Sequence, residues 1–161
     1  MLKTTLSIGS LYAILSTFNN SENSCRIKVK CRGFSMAPAI NNNDLVVINP
    51  SFSSNLLRIG TIVVAAFPEK KRLIVHRIIK AEQHEVLIKG DNIKVPDGWI
   101  NSSQIIGVIE MVSKSQLSYN CYPWIGFIMA QFSKAGFLTF LNKSIFYSSR
   151  LRSYLGSITI Y

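Results

Sequence analysis

Acidic residues are scarce in this chain. Eight Asp and Glu stand against eighteen Lys and Arg in 161 residues, for a formal net charge of +10. No acid follows Glu110, whereas Lys114, Lys134, Lys143, Arg150 and Arg152 do. The first 35 residues are also basic, with Lys3, Arg26, Lys28, Lys30 and Arg32 against Glu22 alone, and the middle is nearly neutral. Basic ends suit an anionic lipid surface or a nucleic acid. The C-terminal basic residues are interleaved with Trp, Tyr, Phe, Ile and Leu, which favours lipid; no nucleic-acid partner is expected. The plainer alternative is a solvated basic face.

Cysteine is also rare. Cys25, Cys31 and Cys121 are an odd number with no C-x-x-C pair, which argues against a disulfide framework and a structural zinc. They read as free, buried thiols. Two histidines and scattered acids lack ligand spacing, so neither metal nor cofactor is expected. Long apolar runs are missing too. Thr4 to Phe18 is uncharged but only about 15 residues long, short of the roughly 20 that a spanning helix needs. A cleaved secretory signal would want a small-x-small site after it, which Asn19-Asn20-Ser21-Glu22 does not supply. It reads as a short amphipathic or packing helix lying on a membrane, with a polar linker behind it.

What the chain does have is apolar surface. Hydrophobic residues make up 48% and charged ones 16%, and mean hydropathy is +0.24. Such a balance makes a membrane contact plausible for a small domain. Arg26 to Arg32 alternates, with Ile27, Val29 and Cys31 on one face and four basic residues on the other, predicting a half-buried strand. Strands are also predicted at Leu45–Ile48, Thr61–Phe67, Leu73–Ile79, Glu85–Lys89 and Ile105–Val112, the last with a bulge at Gly107. Six short strands imply a mostly β fold, a small twisted sheet or partly open barrel. From 113 the texture becomes helical and aromatic, predicting two amphipathic helices at an interface or a helical hairpin packed on the sheet. Three regions follow: residues 1–25 as a helical and linker segment, 26–112 as the β domain, and 113–161 as a basic helical appendage.

Within the β domain, Gly33-Phe34-Ser35-Met36-Ala37-Pro38 is a stiff turn. Gly33 permits a bend, and Pro38 restricts itself and its predecessor. Such a turn could hold the Ser35 hydroxyl out of the packed body, although a serine in a turn more often bonds its own backbone. A serine nucleophile needs a base. His76 lies mid-strand, sharing a face with Ile74 and Ile78, and its neutral imidazole suits that role near neutral pH. A carboxylate on the other ring nitrogen would fix the tautomer. Asp91 and Asp97 both follow on one loop, and either could reach it; each could equally make only a local turn. His84 reads as a solvated surface residue.

Taken in order, Gly33 to Pro38, Ile59-Gly60-Thr61-Ile62-Val63-Val64 with Phe67, Val75-His76-Arg77, Lys89-Gly90-Asp91-Asn92 with Asp97, and Ile106-Gly107-Val108-Ile109 resemble the motifs of signal peptidase I-type serine proteases, in the S24/S26 peptidase superfamily. The resemblance covers about residues 26–112. It implies a mostly β fold, cleavage of leader peptides or precursors from membrane-associated substrates, and Ser35 as nucleophile. The His76-Arg77 pair resembles the endoplasmic-reticulum and archaeal style, whose base is histidine rather than lysine, with Asp97 as orienting acid and Asp91 in support. Met36 and Pro38 would border the substrate. Gly33 stands where some relatives carry a hydroxyl, so the oxyanion would rely on the Ser35 N–H. The missing anchor suits a specialised precursor-processing protease held peripherally or monotopically at the membrane. Two other functions compete. One is a self-cleaving repressor type, which uses a lysine base and a preceding DNA-binding domain; the other is a catalytically silent β module docking through its basic ends on membrane or nucleic acid.

Overall fold

The computed structural model describes residues 25–67, 69, 72–114 and 117–135, together with Gly9, Ser10, Ala13, Ile14 and Thr17. Eight strands make one sheet: β1 (Ile27–Lys30), β2 (Leu45–Asn49), β3 (Ile62–Phe67), β4 (Arg72–Ala81), β5 (Glu85–Lys89), β6 (Gly98–Asn101), β7 (Ile105–Ser113) and β8 (Ser118–Asn120). Their order is β1-β2-β7-β3-β4-β5-β6, with β8 added to β7, and the sheet curls into a half-barrel. Every pairing is antiparallel. One helix, α1 (Pro123–Lys134), follows. The mostly β expectation holds.

The sequence explains which strands are central. β3 is apolar at every position and β-branched in its first half, without polar alternation, so both of its faces are buried. Ile62, Val64 and Ala66 join Leu73, Val75, Val29, Met36 and Ile40 in one core cluster. Val63 and Ala65 join Ile74, Ile78, Val86 and Ile88 in a second, on the opposite face. β1 alternates instead, with Val29 buried and Lys28 and Lys30 exposed, as an edge strand should. The predicted irregularity near Gly107 is present. Val64 pairs with Gly107 but Ala65 with Ile105, which leaves Ile106 as the extra residue of a bulge. A side chain at 107 would also meet Ile48 Cγ2 at 2.4 Å.

Two short strands were not expected. β6 follows the Asp97-Gly98 turn, where Gly98 has φ +110°, and completes the sheet edge beyond β5. β8 returns along β7 and braces the turn at 33–38. There the Tyr119 hydroxyl donates to the Ala39 carbonyl, and Lys114 Nζ donates to the Pro38 carbonyl at 2.8 Å. The helical expectation for 113–161 resolves into α1; residues 136–161 lie outside the described ones, as does most of the stretch 4–18. α1 turns its smallest residues to the sheet. Gly126, Ala130 and Ser133 are buried, whereas Trp124, Ile125, Phe127, Ile128 and Phe132 are exposed. Gly60 (φ +99°) and Gly126 touch through their backbones, since a Cβ on Gly126 would lie 2.5 Å from the Gly60 carbonyl oxygen. Only glycine at both positions permits this approach. Among the described residues, no helix is long and apolar enough to cross a membrane.

Candidate active site

The turn at 33–38 begins with Gly33 in the left-handed region, at φ +97°, as its place in the bend requires. Its N–H donates to Asn42 Oδ1 at 3.0 Å, and the Ala37–Pro38 peptide is cis. From Met36 the chain enters the core. Met36 is wholly buried among the residues of the first cluster. It therefore cannot border a substrate as expected; its long apolar side chain anchors the turn from inside. Pro38 remains exposed at the rim. Ser35 also departs from expectation. It is 7% exposed, and its Oγ is buried with no hydrogen-bond partner among the described residues. The hydroxyl is held within the packed body, not out of it. An unpaired buried hydroxyl is costly, and in a folded chain it calls for an explanation.

His76 lies in β4 on the face of Ile74 and Ile78, 3% exposed. Its Nδ1 sits 2.5 Å from Asp97 Oδ2. An ionised carboxylate can only accept, so Nδ1 carries a proton, and in the neutral imidazole the lone pair is on Nε2. Asp97 is itself fixed by the backbone, its N–H donating to the Ile88 carbonyl of β5 at 3.0 Å. The other ring nitrogen faces Gly90. A Cβ built on Gly90 would stand 2.9 Å from His76 Nε2 and 2.7 Å from the Ser35 carbonyl oxygen. Absence of that Cβ is what lets the serine turn and the imidazole come together. The turn is clamped from the same loop. Asn92 N–H donates to the Ser35 carbonyl at 2.8 Å, and Asn92 Nδ2 to the Phe34 carbonyl at 3.2 Å.

The two aspartates have separate partners. Asp91 is fully buried and takes a forked pair from Arg77, Nε to Oδ1 at 2.8 Å and Nη2 to Oδ2 at 2.7 Å. The third arm of the guanidinium, Nη1, donates to the Gly60 carbonyl at 2.8 Å. The loop that faces Ser35 is thus tied to β4 and to the contact with α1. His84 lies outside this group, with its carbonyl bonded to Ser102 on the far side of β5 and β6. Among the described residues, no group of three His, Cys, Asp or Glu could hold a metal.

A serine turn, a histidine on β4 and an acid behind it converge around Gly90 on one curled β sheet. Comparison with known families agrees at the level of the fold: the model of Peptidase S24-like proteins matches residues 4–110. The chain belongs to the Peptidase S24-like family. No curated protein and no solved structure matches. Membership supports a serine peptidase fold and a protease-type or self-cleaving repressor-like function. In this S24-like chain the motif Lys89-Gly90-Asp91-Asn92 does more than the sequence alone discloses. Gly90 makes room, Asp91 locks Arg77, and Asn92 holds Ser35. Turn chemistry alone signalled the loop; what the loop packs against could not be read from it.

Proposed function

We propose that this chain is a serine endopeptidase of the histidine-based signal-peptidase type, which cleaves a leader peptide or precursor. The observation that carries this reading is the orientation of His76. Its Nδ1 proton is held by Asp97, and its Nε2 meets Gly90 beside Ser35. In the reaction His76 Nε2 would accept the Ser35 Oγ proton as that oxygen attacks the scissile carbonyl. The imidazolium, stabilised by Asp97, would then return the proton to the leaving amine. Hydrolysis of the acyl-enzyme repeats the sequence with water as nucleophile. The Ser35 N–H would meet the oxyanion, Gly33 offering no side chain and its own N–H being committed to Asn42. Since Ser35 Oγ is buried and unpaired, substrate must open the turn enough to admit the carbonyl.

The self-cleaving repressor reading requires a lysine base. The buried Lys89 directs its Nζ to Ser133 and to the Gly90 carbonyl, which favours the histidine. A membrane surface fits as the place of work. Trp124 is 66% exposed, in line with Phe127, Ile128 and Phe132 on the outer side of α1, and such a face with basic flanks suits an anionic interface. Mass spectrometry of candidate precursors co-expressed with wild type, Ser35→Ala or His76→Ala tests the reading. Cleavage by wild type alone is expected; a cut that survives Ser35→Ala overturns it.

A further inference from the structure

Lys89 is 2% exposed yet has no carboxylate hydrogen-bonded to it among the described residues. It stands directly across from Arg77 in the β4–β5 register. Two like charges opposed on neighbouring strands are unfavourable. Burial pushes the Lys89 ammonium below the ordinary lysine range, with the charges of Asp91 and Asp97 working the other way. An apolar residue of the same length would avoid these costs. What the ammonium does instead is reach α1. Nζ donates to the Ser133 carbonyl at 2.7 Å and to Ser133 Oγ at 3.1 Å, both in the last turn of the helix. Carbonyls there lack helical partners and attract a cation. A weaker contact at 3.4 Å joins Nζ to the carbonyl of Gly90, the residue beside Ser35 and His76. At the other end of α1, Gly126 rests on Gly60, whose carbonyl receives Arg77, which in turn holds Asp91.

We infer that Lys89 is a positioning residue and that α1, docked through Lys89 and Gly126, sets the 90–92 loop against Ser35 and His76. The helix is then part of the catalytic apparatus, although none of its side chains reaches the reacting atoms. This rests on the peptidase reading above. An opposed pair of cations is tolerated because each has its own partners: Arg77 has Asp91 and the Gly60 carbonyl, and Lys89 has the C-terminal end of α1 at Ser133.

Lys89→Met, Ser133→Ala and Gly126→Ala are compared with wild type and with Lys80→Met, which removes an equal charge at an exposed site on β4. Two readouts are used: steady-state cleavage of a peptide that wild type cuts and Ser35→Ala does not, and the downfield proton resonance of the His76 Nδ1–H. Lys89→Met is expected to lower kcat about tenfold or more, with KM within about twofold, because small misplacements near the reacting groups are costly. Its His76 resonance should move, while Lys80→Met leaves both readouts unchanged. Ser133→Ala keeps the backbone carbonyl and should show a smaller loss, and Gly126→Ala one at least as large as that of Lys89→Met. A folded Lys89→Met with wild-type kcat and resonance overturns the inference. If Lys89→Met does not fold, wild-type behaviour of both Ser133→Ala and Gly126→Ala overturns it instead. Absence of any Ser35-dependent cleavage would strike the peptidase reading alone, and the resonance would still decide whether α1 governs the site.

Discussion

Gly90→Ala is the sharpest perturbation of this site, because it adds one methyl group where three neighbours converge. The new Cβ would lie 2.7 Å from the Ser35 carbonyl oxygen, 2.8 Å from Ile93 Cγ1 and 2.9 Å from His76 Nε2. Ordinary contact begins near 3.4 Å, so the Ser35 turn and His76 must separate from Gly90 by roughly 0.5–0.7 Å each. Ile93 can yield by rotation, but the Ser35 carbonyl is backbone held by Asn92 and the imidazole is held by Asp97. Misplacement of reacting groups by ~1 Å can cost ~100-fold, so a displacement of this size should lower kcat by about 10- to 100-fold, or ~1.4–2.7 kcal/mol in the barrier. Overpacking costs ~1–3 kcal/mol of stability, which for this chain length lowers Tm by roughly 2–12 °C. The protein therefore stays folded at assay temperature while turnover falls. The assay is steady-state hydrolysis of a precursor peptide beside a thermal melt. A Gly90→Ala protein with unchanged kcat would refute the claim that Ser35 and His76 meet at this glycine.

Asp97→Asn should lower kcat by about a thousandfold or more while hardly moving Tm, since an amide at that position favours the wrong imidazole tautomer; near-normal hydrolysis would remove Asp97 from the mechanism. Arg77→Met and Asp91→Leu should each cost about 3–5 kcal/mol in urea melts, because each strands a buried charge, and the double variant should cost less than their sum. Strict additivity would mean that the pair does not interact. Cys31 and Cys121 are pushed up to about 12 and about 11, burial being the main cause, and burial likewise raises Tyr119. Since the folded-state values are raised, the stability the two thiols contribute is complete below the ordinary thiol value of 9.0 and is lost as pH rises towards 11–12. The urea midpoint should fall over that range, and N-ethylmaleimide at pH 8 should modify Cys31 only after unfolding; rapid labelling of Cys31 in the native protein would contradict its burial.

What was legible in the sequence was whatever strand periodicity governs. β1 announces itself by alternation and β3 by an unbroken apolar run, and a run buried on both faces places a strand in the middle of a sheet. β6 and β8 are four and three residues long, too short to show a period, and they exist because long neighbours offer them an edge. The aromatic run after 113 was read as helical and interfacial. Within α1 the large apolar residues are the exposed ones, and the docking side is built from Gly126, Ala130 and Ser133. Small residues carry little hydropathy signal, so the contact of Gly126 with Gly60, which depends on absent atoms, could not be seen in advance. Met36 and Ser35 show the same limit: a turn motif fixes backbone direction but not which side of it faces the core.

The aspartates show how packing divides what composition leaves equal. Both follow the histidine strand on one loop, and sequence spacing alone allows either to orient the imidazole. Yet a carboxylate already receiving two N–H groups from one guanidinium has its oxygens spent on that fork. Asp91 is in that position, fully buried, with Arg77 as its counter-ion. Moving it to His76 would leave the Arg77 charge unpaired in the core, a cost of several kcal/mol. Asp97 has a side chain 24% exposed and no Lys or Arg paired with it among the described residues, so it can orient the imidazole without disturbing the core. The arrangement therefore assigns Asp91 to stability and Asp97 to the imidazole, and the two substitutions above should separate along that line: Asp97→Asn in kcat, Asp91→Leu in the urea midpoint. If Asp91→Leu stayed as stable as wild type and lost only turnover, this division of labour would be wrong.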